Sequence, residues 1–430
     1  MGILGLIGNA DWATDERPKN WREGILRLYP NGDAPLTALL AKLKTKPTND
    51  PEFNWWTKEM SSQIATLVAD SNVYTDVALS SAYASGGTAG DTLYTKMTLA
   101  EVQNFREGHI VMWRSTGEEL VTCVGRVTGV VQNGASSYVS AALLEDDDAG
   151  TENISDCEIL QIIGNANAEG AEMPDAVSYR PTKVRNYTQI FRTPLSIART
   201  ARKTNLRTGD QYKELKREAL EMHSVEMEKA FLWGIPTEGT GANGKPLRTT
   251  CGLIPAILGK DLEGDGSTAV GTTADFAGGT WLTGGEIWLN EQLEAIFRYG
   301  SDERLCFIGS EALLAIQIAA AAGGTVQLNP GASVYGIKVM EWITPFGVIY
   351  LKRHPLFSYT AIDRCTMLLF EPSMLVERPI DDTAFYADKN EKSRSGRRRV
   401  DGTDEEFLTE SGLEFHFPKT AGYLLGVQGD

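Results

Sequence analysis

Apolar positions along this chain come in short runs whose spacing switches between the alternation of a strand and the three-and-four step of a helix. The stretch DAPLTALLAKL, residues 33–43, sets Leu36, Leu39, Leu40 and Leu43 on one helical face, an amphipathic segment with nothing nearby in sequence to bury against. With a second apolar patch from Trp21 to Tyr29, it makes residues 1 to about 48 read as an arm that needs a partner surface. From Glu52 onward, FNWWTKEM follows Pro47 and Pro51 and reads as extended. Trp55 and Trp56 are neighbours there, so in a strand they point to opposite sides. The Ser/Gly/Ala-rich stretch from Ser80 to Gly90 reads as a mobile loop tip. Between about 101 and 157 lie four β-branched runs, HIVMW at 109, ELVTCV at 119, RVTGVV at 126 and YVSAALL at 138. Gly117, Gly125 and Asn133-Gly134 punctuate them, and a small β unit of hairpins fits.

The strongest helix opens at Thr208-Gly209-Asp210-Gln211, where Thr208 and Gln211 have capping-box spacing, and stops at Gly234 with Pro236 beyond. Tyr212, Leu215, Ala219 and Met222 form its apolar stripe, with Leu220, Met227 and Phe231 beside it, while Lys213, Glu214, Arg217, Glu218, Glu221 and Glu228 are expected in water. A second capping box, Thr283 to Glu286, opens a helix carrying Leu289, Leu293, Ile296 and Phe297. A strand at 304, a helix from Ser310 to Ala322 and strands near 334–341 and 346–352 follow, with further strands at 366–370, 374–380, 413–417 and 421–427. The expected class is α+β, with α/β alternation in the second half.

Charge narrows the function. Forty-one basic against fifty-seven acidic side chains leave −16 on 430 residues, the wrong sign for gripping phosphates. Five scattered cysteines without a Cys-x-x-Cys spacing suggest buried thiols in a reducing compartment, not a disulfide framework or zinc knuckle. No basic residue precedes the short apolar start, so no signal peptide is read, and the longest uncharged stretch, Ala312 to Ile337, is broken by Gly323-Gly324 and Pro330 and too short to span a bilayer. A soluble, cytoplasmic chain is expected.

Chemical motifs do not survive their context. Gly239 to Lys245 matches a phosphate loop up to its lysine, but it follows a helix and runs into Pro246, so a flexible loop is the better reading. Asp261, Glu263 and Asp265 begin like a calcium loop, yet the twelfth position is Thr272, where a bidentate Glu is required. His109, His223, His354 and His416 lie far apart, without Glu or Cys at ligand spacing. No catalytic, cofactor-binding or metal residue is assigned. The late blocks Arg397, Arg398, Arg399 and Asp404, Glu405, Glu406 fit either a solvated loop with local ion pairs or an intersubunit contact. A DNA-binding tail is disfavoured, because the acidic block cancels the basic one within about a Debye length, ~8 Å.

The order of these parts carries more than any motif. An arm, an extended loop with a β insert, one lone rod helix and an α/β unit with returning strands resemble the major capsid protein of tailed bacteriophages, the Hong Kong 97-like fold. Supporting stretches are DAPLTALLAKL at 33, FNWWTKEM at 53, NYTQIFRTPLSIART at 186, EMEKAFLWG at 226, LRTTCGLI at 247, CFIGSEALLAI at 306, YGIKVMEWITPFGVIYLKRHPLF at 335 and DKNEKSRSGRRRVDGTDEEFLTESGLEFH at 388. The resemblance implies an N-terminal arm at 1–48 and an extended loop at 49–200 with a β insertion at about 101–157. It places a spine helix and peripheral domain at 201–279, an axial domain at 280–365, and returning strands at 366–430.

It further implies a structural protein, not an enzyme, that self-assembles into hexamers and pentamers of an icosahedral head. The expected partners are a separate scaffolding protein, a portal and packaged double-stranded DNA held without sequence specificity, with a decoration protein left open, no membrane and no cofactor. Assembly is expected in the host cytoplasm. The candidate interface residues are Trp55, Trp56, Arg397 to Arg399 and Asp404 to Glu406. An encapsulin-type shell remains the rival within the fold, and an unrecognised enzyme or binding module the rival outside it.

Overall fold

The computed structural model describes residues 35–43, 45–58, 63–67, 73–115, 123–147, 153–170, 172–204, 210–263, 266, 268–277, 279–323, 327–334, 337–387 and 402–428. Two compact units emerge: a body, Met1–Trp55 with Lys183–Asp430, and an insertion, Trp56–Thr182. The chain enters and leaves the insertion through the paired strands Glu52–Thr57 and Thr182–Tyr187.

The insertion is a seven-stranded antiparallel sheet, in the order Ile64–Thr66, Ile159–Asn165, His109–Arg114, Cys123–Val131, Tyr138–Leu143, Thr92–Lys96, Val73–Tyr74. Period-two patterning fixes its faces: Val139, Ala141 and Leu143 are buried while Tyr138, Ser140 and Ala142 are half-exposed. Trp113 is fully buried at its centre and donates its indole N–H to Thr95 Oγ1 at 3.2 Å. Gly125 makes room for that ring, since a Cβ there would lie 2.7 Å from it. Two hairpins exist at 101–157, His109–Arg114 with Cys123–Val131 and Cys123–Val131 with Tyr138–Leu143, but the runs expected at 119 and 126 join in one strand through Gly125, with residues 119–122 outside the described residues, and the sheet also recruits strands on both sides of that span. The stretch expected as a mobile tip, Ser80 to Gly90, carries a core residue: Tyr83 is buried, and its hydroxyl accepts from Gly87 N–H at 2.7 Å.

In the body, the long helix Gln211–Trp233 packs on a three-stranded antiparallel sheet whose central strand, Gly402–Phe415, lies between Gln189–Ala198 and Leu375–Tyr386. At 1.5 Å per residue it is about 35 Å long. Its cap is Asp210, whose carboxylate accepts from Tyr212 N–H at 3.0 Å; Thr208, expected in that role, lies outside the described residues. Gly234 ends it, because a Cβ there would come within 2.4 Å of the Ala230 carbonyl oxygen. The buried face steps through Ala219, His223, Met227 and Phe231, with Glu228 and Leu232 beside it. This corrects the expected stripe: Met222 is 57% exposed and Glu228 fully buried.

What buries Glu228 is the helix Pro35–Leu40, which packs on the long helix with Leu36, Leu39 and Leu40 inside the main body core. The expectation that this helix needs a partner surface is therefore overturned: its own chain supplies one. Residues beyond it extend the sheet edge, with Lys46 N–H donating to Glu377 O and Thr48 N–H to Pro379 O, both at 3.0 Å.

The second half of the body forms a mixed seven-stranded sheet, in the order Thr272–Asp275, Gly422–Leu425, Met367–Phe370, Glu303–Ile308, Gly347–Arg353, Ile337–Thr344, Gln327–Val334. Met367–Phe370 is buried at every position, as a central strand covered on both faces must be. Helices Glu286–Phe297 and Ser310–Gly323 supply Leu289, Leu293, Ile296, Ala312, Ala315 and Ile316 to its core. Thr283 does not cap the first of these. A π-helical turn, Trp281–Gly285, precedes it, and Thr283 Oγ1 bonds the Thr280 carbonyl instead. The turn seats Trp281, whose N–H donates to Ala315 O at 3.0 Å.

Candidate assembly surfaces

At the root of the insertion, Phe53 is buried beneath the central strand, where a Cβ on Gly412 would stand 2.6 Å from its ring. Trp55 stacks on Phe53 at 6.0 Å and tilts against His416 at 6.2 Å. Beneath them Glu414 accepts from Arg378 Nε and His416 Nε2. Burial alone would raise its pKa, but the His416 and Arg378 hydrogen bonds outweigh it and hold the carboxyl below its usual range. Trp55 is half-buried, and its indole N–H has no hydrogen-bond partner among the described residues. Trp56 is 66% exposed. The two indoles therefore divide as alternation requires.

The acidic block finds partners within its own chain. Asp404 accepts from Ser196 Oγ at 2.6 Å, Glu405 from the Tyr212 hydroxyl at 2.6 Å, and Glu406 takes both Nε and Nη2 of Arg192 at 2.8 and 2.7 Å. Arg397, Arg398 and Arg399 lie outside the described residues.

The remaining chemistry is structural. Gly239 to Lys245 forms the tip of an exposed hairpin, Thr237–Thr240 with Pro246–Thr249, rather than a flexible loop. Among the described residues no cluster of three His, Cys, Asp or Glu could hold a metal ion. Burial pushes the Cys251 and Cys123 thiols up to about 12, so neither offers a thiolate nucleophile. A cavity of about 140 Å³ borders Arg304 and Glu371, well below the roughly 300–1,000 Å³ of a ligand pocket. Its arginine is already engaged, donating to the carbonyls of Ser301, Glu303 and Thr420 at 2.6, 2.9 and 2.9 Å.

His223 links helix to sheet. Its Nδ1 meets Thr193 Oγ1 at 3.0 Å and its Nε2 meets Thr409 Oγ1 at 2.7 Å, and burial lowers its pKa from 6.5. The unfolded chain therefore takes up this proton more readily, and stability should fall as pH drops below 6.5 toward the lower folded value. His223→Gln, which can still bridge the two threonines, should flatten that limb in pH-dependent urea unfolding. An unchanged limb would place the acid sensitivity elsewhere.

The SU10 major capsid protein family model matches residues 6–428. A curated relative, the major capsid protein of Pseudomonas phage PaMx41, is 26% identical over 432 residues, covering 95% of this chain and 92% of its own. A solved chain of Mycobacterium phage Bobi aligns over 98% of this chain and 99% of that one, at 8% identity and a TM-score of 0.47. The SrpI encapsulin of Synechococcus elongatus PCC 7942 aligns over 58% and 76%, at 12% identity and a TM-score of 0.38. With one family model spanning nearly the whole chain, the chain belongs to the SU10 major capsid protein family, a non-enzymatic structural component of the tailed-phage head.

Proposed function

We propose that the chain takes the Hong Kong 97-like arrangement and assembles as hexamers and pentamers into an icosahedral head around double-stranded DNA. The observation that carries this reading is the span of the family match, which takes in the arm helix, the insertion, the long helix and both body sheets at once. In this reading residues 1–48 are the arm, 49–200 the extended loop, 201–279 the peripheral domain with its spine, 280–365 the axial domain and 366–430 the returning strands. A separate scaffolding protein and a portal complete the assembly. The net charge of −16 suits a wall along which packed DNA slides instead of sticking. Co-expression with the neighbouring phage genes, followed by electron microscopy, tests it: closed shells filled with DNA are expected. A stable monomer would overturn the assembly, and shells filled with protein cargo would favour the encapsulin alternative.

Within this reading, Trp56 packs on a neighbouring subunit, and the Trp55 N–H gains an acceptor there. Support comes from the 66% exposure of one indole and the buried N–H of the other, which has no partner among the described residues and costs about 1–3 kcal/mol while unmet. Arg397 to Arg399 pair with the block Asp404 to Glu406 of a neighbour, in addition to the contacts these carboxylates make with Ser196, Tyr212 and Arg192 in their own chain. Trp56→Ala should reduce shell yield at least several-fold while leaving subunit unfolding unchanged. Reversing the three arginines to Glu should impair assembly, and reversing Asp404 and Glu406 as well should restore part of it. Normal shell yield from both variant sets would remove these residues from the interface.

A further inference from the structure

Asparagine followed by glycine is the pair at which a backbone nitrogen most readily attacks the preceding side chain, because the glycine carries no side chain to screen it. The chain holds three such pairs, Asn31-Gly32, Asn133-Gly134 and Asn243-Gly244, and the first lies outside the described residues. The other two are alike in setting. Both are exposed, both sit between the strands of a hairpin, and both place glycine at positive φ, 52° at Gly134 and 73° at Gly244.

Their reacting groups are held differently. At Asn243 the side-chain oxygen accepts from Lys245 N–H at 3.0 Å, and Gly244 N–H donates to Gly241 O at 2.9 Å. Side chain and nitrogen are both pinned inside that turn. At Asn133 only the residue's own backbone is tied: its N–H donates to Ser137 Oγ and its carbonyl accepts from Ser136 N–H, each at 2.9 Å. Its side-chain amide has no hydrogen-bond partner among the described residues. Gly134 opens the 3-10 turn Gly134–Ser136, so its N–H has no carbonyl within the turn to bond.

We propose that Asn133 is a self-modification site, converting to aspartate and isoaspartate in the folded chain well ahead of Asn243. The Gly134 nitrogen gives its proton to hydroxide and attacks Asn133 Cγ. The new bond closes a five-membered succinimide as the Cγ–Nδ2 bond breaks and ammonia leaves. Water then adds to one of the two ring carbonyls. Cleavage at Cγ returns the nitrogen to its original peptide bond and leaves aspartate, whereas cleavage at the backbone carbonyl leaves the main chain running through Cβ as isoaspartate. Either product adds a negative charge to the turn between Cys123–Val131 and Tyr138–Leu143. Isoaspartate also lengthens the backbone there, at the expense of the bonds to Ser136 and Ser137. The strands themselves are held by buried Val127, Val139 and Ala141, so the change stays local to the turn.

The purified full-length chain, aged at mildly alkaline pH in heavy-oxygen water and mapped by peptide mass spectrometry, tests this, since each succinimide that opens takes up the label. Two hydrogen bonds restrain the reacting groups at Asn243 and none restrains them at Asn133, so the Asn133 peptide should gain label at least about tenfold faster. It should appear as a mixture of aspartate and isoaspartate. In concentrated urea, where neither turn is held, the two rates should converge. Asn133→Gln, whose longer side chain must close a six-membered ring, should abolish the fast label and leave the slow one. Equal rates in the folded chain, or a faster Asn243, would overturn the proposal. So would a tenfold ratio that persists in urea, because the neighbouring sequence and not the fold would then set it.

Discussion

Replacing Glu228 with Gln should destabilise the body by about 2–5 kcal/mol, because each buried donor that an amide leaves unmet costs about 1–3 kcal/mol. The carboxylate has no solvent exposure and accepts four hydrogen bonds. Leu36 N–H reaches Oε1 at 2.7 Å, Thr37 N–H and hydroxyl reach Oε2 at 2.7 and 2.6 Å, and His354 Nε2 reaches Oε1 at 2.8 Å. His354 Nδ1 accepts from Leu356 N–H at 3.2 Å, so the imidazole is the neutral Nε2–H tautomer and donates to Glu228. All four partners are thus neutral donors, and one carboxylate satisfies them together. An amide turns an N–H₂ toward one pair and strands donors in the core. His354→Gln, which keeps a donor, should cost less. Calorimetry of unassembled subunits should show the body transition lowered and the insertion transition unmoved. A body transition within about 1 kcal/mol of the unmodified protein would contradict the assignment.

Truncation should separate two parts of the arm. A chain starting at residue 35 should keep the body's cooperative transition. One starting at residue 44 loses Leu36, Leu39 and Leu40, each fully buried and each worth about 2–5 kcal/mol when emptied from a core. It also leaves Glu228 without three of its four donors. That total rivals the roughly 5–15 kcal/mol by which a whole domain is stable, so the shorter chain should lack a folded body. Near-ultraviolet circular dichroism with heating distinguishes the two. Cooperative melting of the chain starting at 44 would restore the view that this helix serves only assembly.

Local signals in the sequence were sound where a residue's partners are close by or its chemistry is unambiguous. The long helix, its Gly234 stop, most of the second-half strands and the opposed faces of Trp55 and Trp56 were all legible. The failures share one cause, because burial is decided by elements far away in the chain. Glu228 reads as a wet residue until the helix some 190 positions earlier covers it, and Met222 reads as core until no element arrives on its side. The same distance hid the arm's own binding face and the engagement of Asp404 to Glu406 by Ser196, Tyr212 and Arg192. A signal for the Glu228 seat did exist: a Pro-Leu-Thr start with no acidic residue in the first turn leaves N–H groups that some carboxylate must meet.

The strand order also sets a timetable for synthesis. Gly402–Phe415 is the middle strand of the three-stranded sheet, and Gly422–Leu425 lies inside the seven-stranded one, so the two sheets cannot both close until Leu425 has left the ribosome. At about 5–20 residues per second that is a wait on the order of tens of seconds. The insertion draws every strand of its sheet from residues 64–165 and can be complete long before. A nascent chain therefore carries a finished insertion on an unfinished body, and a prematurely released fragment lacks the two strands that complete both body sheets. Only copies translated through Leu425 present a closed body to one another, so completing these two strands acts as a check on what enters the shell.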